Sequence, residues 1–113
     1  MMADIEKARW SQARGAILLT LKDDYAHEMT SVASLIRVLD AQGVSLSHKD
    51  ISFHLRYLSD QGYARIWRAR DLPGFRRDRL MDVKPEMIMF AQMQPRGLQL
   101  IDGQIDADPA VAF

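Results

Sequence analysis

His48, Lys49, Ser52, Phe53, Arg56, Tyr57 and Asp60 share the side of a helix opposite Ile51, Leu55 and Leu58, which stand at i, i+4 and i+7. A helix fits the major groove of duplex DNA, where each base pair shows its own pattern of donors and acceptors. Lys49 and Arg56 can meet phosphates or guanine edges, and Ser52 and His48 can hydrogen-bond bases or phosphates. Phe53 and Tyr57 can touch a thymine methyl or lie against sugars. An ordinary amphipathic helix with a solvated face would carry the same charges, so the neighbouring segments must decide between the two.

The next segment is rich in arginine. Arg65, Arg68, Arg70, Arg76, Arg77, Arg79 and Lys84 fall within residues 65–84, tempered by Asp71, Asp78 and Asp82. On an extended hairpin such a run can follow a phosphate backbone or enter a minor groove, which supplies affinity and salt dependence rather than sequence choice. The expected DNA-binding set is therefore Ser47, His48, Lys49, Ser52, Phe53, Arg56 and Tyr57 on the helix with Arg68, Arg70, Arg76, Arg77 and Arg79 on the hairpin.

The formal net charge of the 113-residue chain is zero, yet its distribution is uneven. Residues 1–47 carry a net −1, residues 48–84 a net +4 and residues 85–113 a net −3. The positive charge thus gathers in the middle third, as expected if one side of the molecule faces a polyanion.

Other chemistry is poorly supported. With no cysteine, there is no disulfide, thiolate nucleophile or cysteine zinc site. His27, His48 and His54 are too scattered for a metal motif, and His54 reads as a structural histidine at the edge of the core. A helix stop and a solvated turn explain Asp23, Asp24 and Glu28 better than an acid–base pair. Neither a glycine-rich phosphate loop nor a Gly-x-Ser-x-Gly turn occurs. The expectation is no enzyme, no catalytic residue, no cofactor and no metal. No segment nears the roughly 18–20 apolar residues that cross a bilayer, and the charged stretch Met1 to Trp10 lacks the pattern of a signal peptide. A cytoplasmic location and no membrane partner are expected.

The elements that must position these residues are legible as follows. A first helix runs from about Asp4 to Lys22, with Ile5, Ala8, Ala13, Ile17, Leu18 and Leu21 near one face and Gly15 as a mild defect. Trp10 reads as a core residue, or else as part of a dimer surface. A second helix is capped by Thr30 or Ser31, buries Val32, Leu35, Ile36 and Leu39, and ends at Gly43. Ser47 caps the third helix, Asp50 completes a capping box, and Gly62 closes it. Only Val44 to Ser47 separate the second and third helices, the short link of a helix-turn-helix. Tyr63 to Arg68 and Met87 to Met93 alternate as strands, Pro73–Gly74 marks a turn between them, and Arg96 to Asp102 makes a last helical turn before Gly103.

Three helices followed by a two-stranded hairpin is the order of an α+β winged helix: a helix-turn-helix core, a β-hairpin wing and a short C-terminal helix. The expected organisation is one winged-helix domain over residues 1–103 and a C-terminal tail over 104–113, in which Val111 and Phe113 either dock on a partner chain or stay loose. The run Ser52-Phe53-His54-Leu55-Arg56-Tyr57-Leu58, continued by Asp60-Gln61-Gly62-Tyr63, resembles the recognition-helix end of ArsR-type winged-helix repressors, with their Ser-x-His-Leu-x-x-Leu pattern. That resemblance implies a DNA-facing third helix. The cysteine pair of the metal-sensing members is absent, so it does not extend to metal sensing. The Pro95-Arg96-Gly97-Leu98-x-Leu100 segment is similar to small winged-helix proteins of Mu-like transposable phages, which implies a phage or prophage setting.

The leading expectation is a DNA-binding transcriptional regulator acting on double-stranded DNA as a homodimer, since one small module buries limited surface on DNA. The alternative is a winged-helix protein-interaction or phage assembly module that does not bind DNA. Zero net charge, seven methionines and exposed Phe53 and Tyr57 favour it.

Overall fold

A computed structural model describes residues 2–25, 29–74 and 83–113. Helix α1 (Met2–Asp23) leads to a two-residue strand β1 (Thr30–Ser31), then α2 (Val32–Ala41) and α3 (His48–Asp60). Strand β2 (Ala64–Arg68) runs into a 3-10 turn (Ala69–Asp71), and β3 (Ile88–Met93) is followed by α4 (Pro95–Ile101).

The N-terminal caps of α2 and α3 form where their residues demand. The Ser31 hydroxyl accepts from the Ser34 N–H at 3.0 Å. The Ser47 hydroxyl accepts from the Asp50 N–H at 3.1 Å while Asp50 Oδ2 accepts from the Ser47 N–H at 3.0 Å, a complete capping box. At the other ends, Gly43 (φ 84°) and Gly62 (φ 78°) take the left-handed conformation. There the N–H groups of Val44 and Tyr63 reach back to the Leu39 and Leu58 carbonyls, at 2.8 and 2.9 Å. A side chain at either glycine would strain this closure.

The core is built mainly by three helices. Ile17, Leu18 and Leu21 of α1, Val32, Leu35 and Leu39 of α2, and Ile51, Leu55 and Leu58 of α3 are essentially sealed from solvent. Burial of each such side chain contributes roughly 1.5–3 kcal/mol. The apolar face expected of α1 is therefore correct from Ala13 onward but not at its start, because Ile5 and Ala8 are exposed. Trp10 is 41% exposed, so it is not a core residue.

The sheet is antiparallel with strand order β1-β3-β2. Strand β1, which the sequence did not reveal, pairs Thr30 with Ala91 and Ser31 with Phe90. In the hairpin Ala64 faces Met93 and Ile66 faces Ala91 on the core side, and Trp67 faces Phe90 on the other. The register slips between Trp67 and Arg68, which faces Ile88 and leaves Met89 as the extra residue. Beyond the bulge the hairpin continues through Ala69 N–H to Met87 O (2.8 Å) and Arg70 N–H to Pro85 O (3.0 Å).

The last ten residues are folded against their own chain. Val111 is buried, and the Ala112 N–H donates to the Ser11 carbonyl at 2.9 Å. A Cβ at Gly15 would overlap the Ala112 carbonyl, and one at Gly97 would overlap that of Tyr63. Gly15 is thus a slot for a crossing segment rather than a defect in α1.

Candidate nucleic-acid interface

Lys49, Ser52 and Arg56 lie at i, i+3 and i+7 on α3, a single stripe along its surface. Lys49 and Arg56 are exposed and Ser52 is half-buried. The stripe borders an open groove of about 220 Å³ whose opposite wall is the hairpin base, with Arg68, Glu86, Met87 and Ile88. The groove joins the helix to the hairpin because Arg68 shares the core-side face of β2 with Ala64 and Ile66, and the register slip brings Ile88 opposite it. Ser52, Arg56 and Arg68, separate in the chain, thus line one surface. Glu86 in the same wall is an acid that the sequence reading did not include.

The neighbouring residues differ in how free they are. Arg70 is exposed at the 3-10 turn, where Asp71 Oδ2 accepts from the Arg68 N–H at 2.9 Å and holds the bend. Ser47 is exposed, but its hydroxyl is committed to the cap. The bonds from Ser47 hold the Asp50 carboxyl below its ordinary range. His48 is half-buried with Nε2 shut off from solvent and without a hydrogen-bond partner. Arg76, Arg77 and Arg79 lie outside the described residues.

Phe53 and Tyr57 belong to a second surface on α3. Phe53, 40% exposed, meets Trp10 edge-on at 5.4 Å between ring centroids. Tyr57 is half-buried beneath the Arg14 guanidinium, 4.0 Å from its ring centre, and its hydroxyl donates to Asp108 Oδ2 at 2.8 Å. Burial first, and then the Asp108 bond, push the Tyr57 phenol up to about 12. The sequence reading set Tyr57 outward with Lys49 and Arg56. In the fold it is occupied within the chain, and Arg56 stands between two surfaces of α3: it lines one hollow with Ser52 and Arg68 and another with Arg14, Phe53, Tyr57 and Asp60.

Arg14 and Asp108 organise the aromatic surface, and neither was singled out from sequence. Arg14 is 7% exposed. Burial lowers its pKa, against the smaller opposing influence of Tyr57 and Asp108. Its one trace in the sequence is a cation at helical spacing between Trp10 and Leu18. Asp108 also accepts from the Tyr63 hydroxyl at 2.9 Å and from the Ala110 N–H at 2.9 Å. Burial favours its neutral form, but the bonds from Ala110, Tyr57 and Tyr63 prevail and hold it below the usual carboxylate range. His54 is buried as expected, and its Nδ1 has no hydrogen-bond partner. Burial, reinforced by Arg14, pushes it down to about 4, so the ring is neutral near pH 7.

Among the described residues, no three His, Cys, Asp or Glu side chains are grouped to hold a metal ion, and no helix is long and apolar enough to cross a membrane. No family model, curated protein or solved structure matched the chain. Its function is therefore read from its own residues.

Proposed function

We propose that the chain is a winged-helix DNA-binding protein and a regulator of transcription, with α3 in the major groove and the wing over residues 65–84 on the phosphate backbone. The observation that carries this reading is the groove in which Ser52 and Arg56 of α3 meet Arg68 of the hairpin. A helix flanked by a cationic β-ribbon offers base-edge and backbone contacts side by side. The strand between the first two helices and the sheet order β1-β3-β2 suit a winged-helix layout. The ArsR-type resemblance of residues 52–63 supports the same assignment of α3. On this reading the protein works in the cytoplasm as a homodimer on paired half-sites, and the likeness of residues 95–100 to small winged-helix proteins of Mu-like phages supports a phage or prophage setting.

Titration of a random-sequence 20-base-pair duplex by fluorescence anisotropy at several salt concentrations tests the reading. Binding in the micromolar range or tighter at low salt is expected, weakening linearly in log–log form. Replacing Arg56 and Arg68 together by alanine should reduce the slope by about 1.8, at about 0.9 per lost phosphate contact.

The second reading, a protein-interaction or phage assembly module, is favoured by one observation. Trp10 and Phe53, each about two-fifths exposed, form an aromatic pair on the side of α3 away from the groove. Failure to bind duplex at low salt would leave that reading standing.

A further inference from the structure

Between α1, α3 and the C-terminal segment lies an open cavity of about 360 Å³, lined by Lys7, Trp10, Arg14, Tyr57, Pro109 and Ala110. It falls within the range of small-molecule sites, roughly 300–1,000 Å³. Its lining is unusual in where it puts charge. The Arg14 side chain is more than nine-tenths buried, yet no carboxylate lies within ion-pair distance of it among the described residues. Its Nε has no hydrogen-bond partner, and Nη1 makes only a long contact, 3.4 Å, to the Ala110 carbonyl. Asp108 is the nearest acid to influence it, but that carboxylate is already engaged by Tyr57, Tyr63 and the Ala110 N–H.

A buried cation without a paired anion is costly, and a ligand that supplies the anion recovers that cost. The exposed Lys7 on the rim adds a second positive charge. The rest of the wall is flat and apolar: the Trp10 indole, the Tyr57 ring and Pro109. The Arg14 guanidinium, 4.0 Å over the Tyr57 ring, holds the charge against that wall. By contrast, the larger cavity of about 520 Å³ beside the sheet has an exposed Arg65 and shares its lining with Asp71, so no buried cation marks it.

We propose that the cavity between Trp10, Arg14, Tyr57 and Pro109 is a binding site for a small planar aromatic carboxylate, with the carboxylate at Arg14 and Lys7 and the ring between Trp10 and Pro109. This site is independent of the DNA reading. It draws on α3 only through Tyr57, outside the cationic groove.

The test is a titration of the ¹⁵N-labelled protein with 1-naphthoate, followed by two-dimensional NMR. The neutral amide 1-naphthamide and inorganic phosphate serve as comparison probes, and a Trp67→Phe background assigns the Trp10 indole signal. Saturable shifts of the Trp10 indole and the Ala110 amide are expected with a Kd of about 1 mM or tighter. Binding should be at least about tenfold weaker for 1-naphthamide and about tenfold weaker in Lys7→Gln. Arg14→Gln should abolish it; because Arg14 is buried, the exposed Lys7 variant decides the matter if Arg14→Gln does not fold. Equal affinity for 1-naphthamide, equal affinity for phosphate at the same signals, or no saturation by about 10 mM naphthoate would overturn the proposal.

Discussion

The Tyr57 hydroxyl donates to Asp108 Oδ2 at 2.8 Å, joining the third helix to the C-terminal segment 51 positions along the chain. Tyr63, just past the end of that helix, donates to the same oxygen at 2.9 Å. One carboxylate thus holds both sides of the α3 terminus. Hydrogen bonds to a charged acceptor contribute about 1.5–3 kcal/mol each. Asp108→Ala, which loses both tyrosine bonds, should therefore destabilise the protein by about 3–6 kcal/mol, and Tyr57→Phe, which loses one, by about 1.5–3 kcal/mol. Urea unfolding of the single variants and of the double variant measures both. Non-additivity of the pair would show that the two residues act through one bond.

Gly15 sits where the Ala112 carbonyl crosses α1, and the Ala112 N–H is bound to Ser11 one turn earlier. In an isolated helix Gly→Ala gains about 1 kcal/mol. Here the added methyl group must displace the C-terminal segment, so Gly15→Ala should lower stability by about 1–3 kcal/mol. Thermal unfolding gives the sign, and loss of hydrogen-exchange protection at the Ala112 amide would locate the cause. A stabilised variant would show that the segment does not occupy that slot.

The third helix and its cap were readable because their determinants are local. Ser47, Asp50 and Gly62 lie within a turn of the groups they satisfy, and Ile51, Leu55 and Leu58 mark the buried side by spacing alone. Strand β1 was hidden because Thr30 and Ser31 are too few to show alternation, and their partners Ala91 and Phe90 lie far along the chain. The role of residues 104–113 was hidden for a similar reason. Asp108 and Val111 read as a tail until the chain returns across α1, and nothing near Gly15 announces the carbonyl that will lie on it. Tyr57 was misplaced because helical spacing sets it beside Phe53 without showing that Arg14 and Asp108 cover it.

The capping box makes a smaller and cleaner test. Ser47→Ala removes the acceptor for the Asp50 N–H and should cost about 1 kcal/mol. Chemical denaturation at pH 7 measures it. Ser47→Asp, which keeps an acceptor at that position, should restore most of the loss.

His54 gives the protein a pH dependence of defined sign. Its folded-state pKa is pushed down to about 4, chiefly by burial and then by Arg14, with Asp50 opposing. In the unfolded chain it titrates near 6.5. Between those values the unfolded state holds more protons, so stability is full above about pH 6.5 and falls as the pH drops toward 4. The loss should be on the order of 2 kcal/mol. Melting curves from pH 7.5 to 4.5 measure it. His54→Gln should flatten the curve over that window, whereas an unchanged profile would assign the acid sensitivity to other groups.

The proposed DNA-binding function requires the Lys49, Ser52 and Arg56 side of α3 to contact the duplex. Amide chemical-shift mapping with a 20-base-pair duplex at low salt tests it most directly. The largest shifts should fall at Lys49, Ser52, Arg56, Arg68 and Met87, with Leu19 and Val38 on the other helices unmoved. Shifts confined to Trp10 and Phe53, or no shifts at saturating duplex, would contradict it.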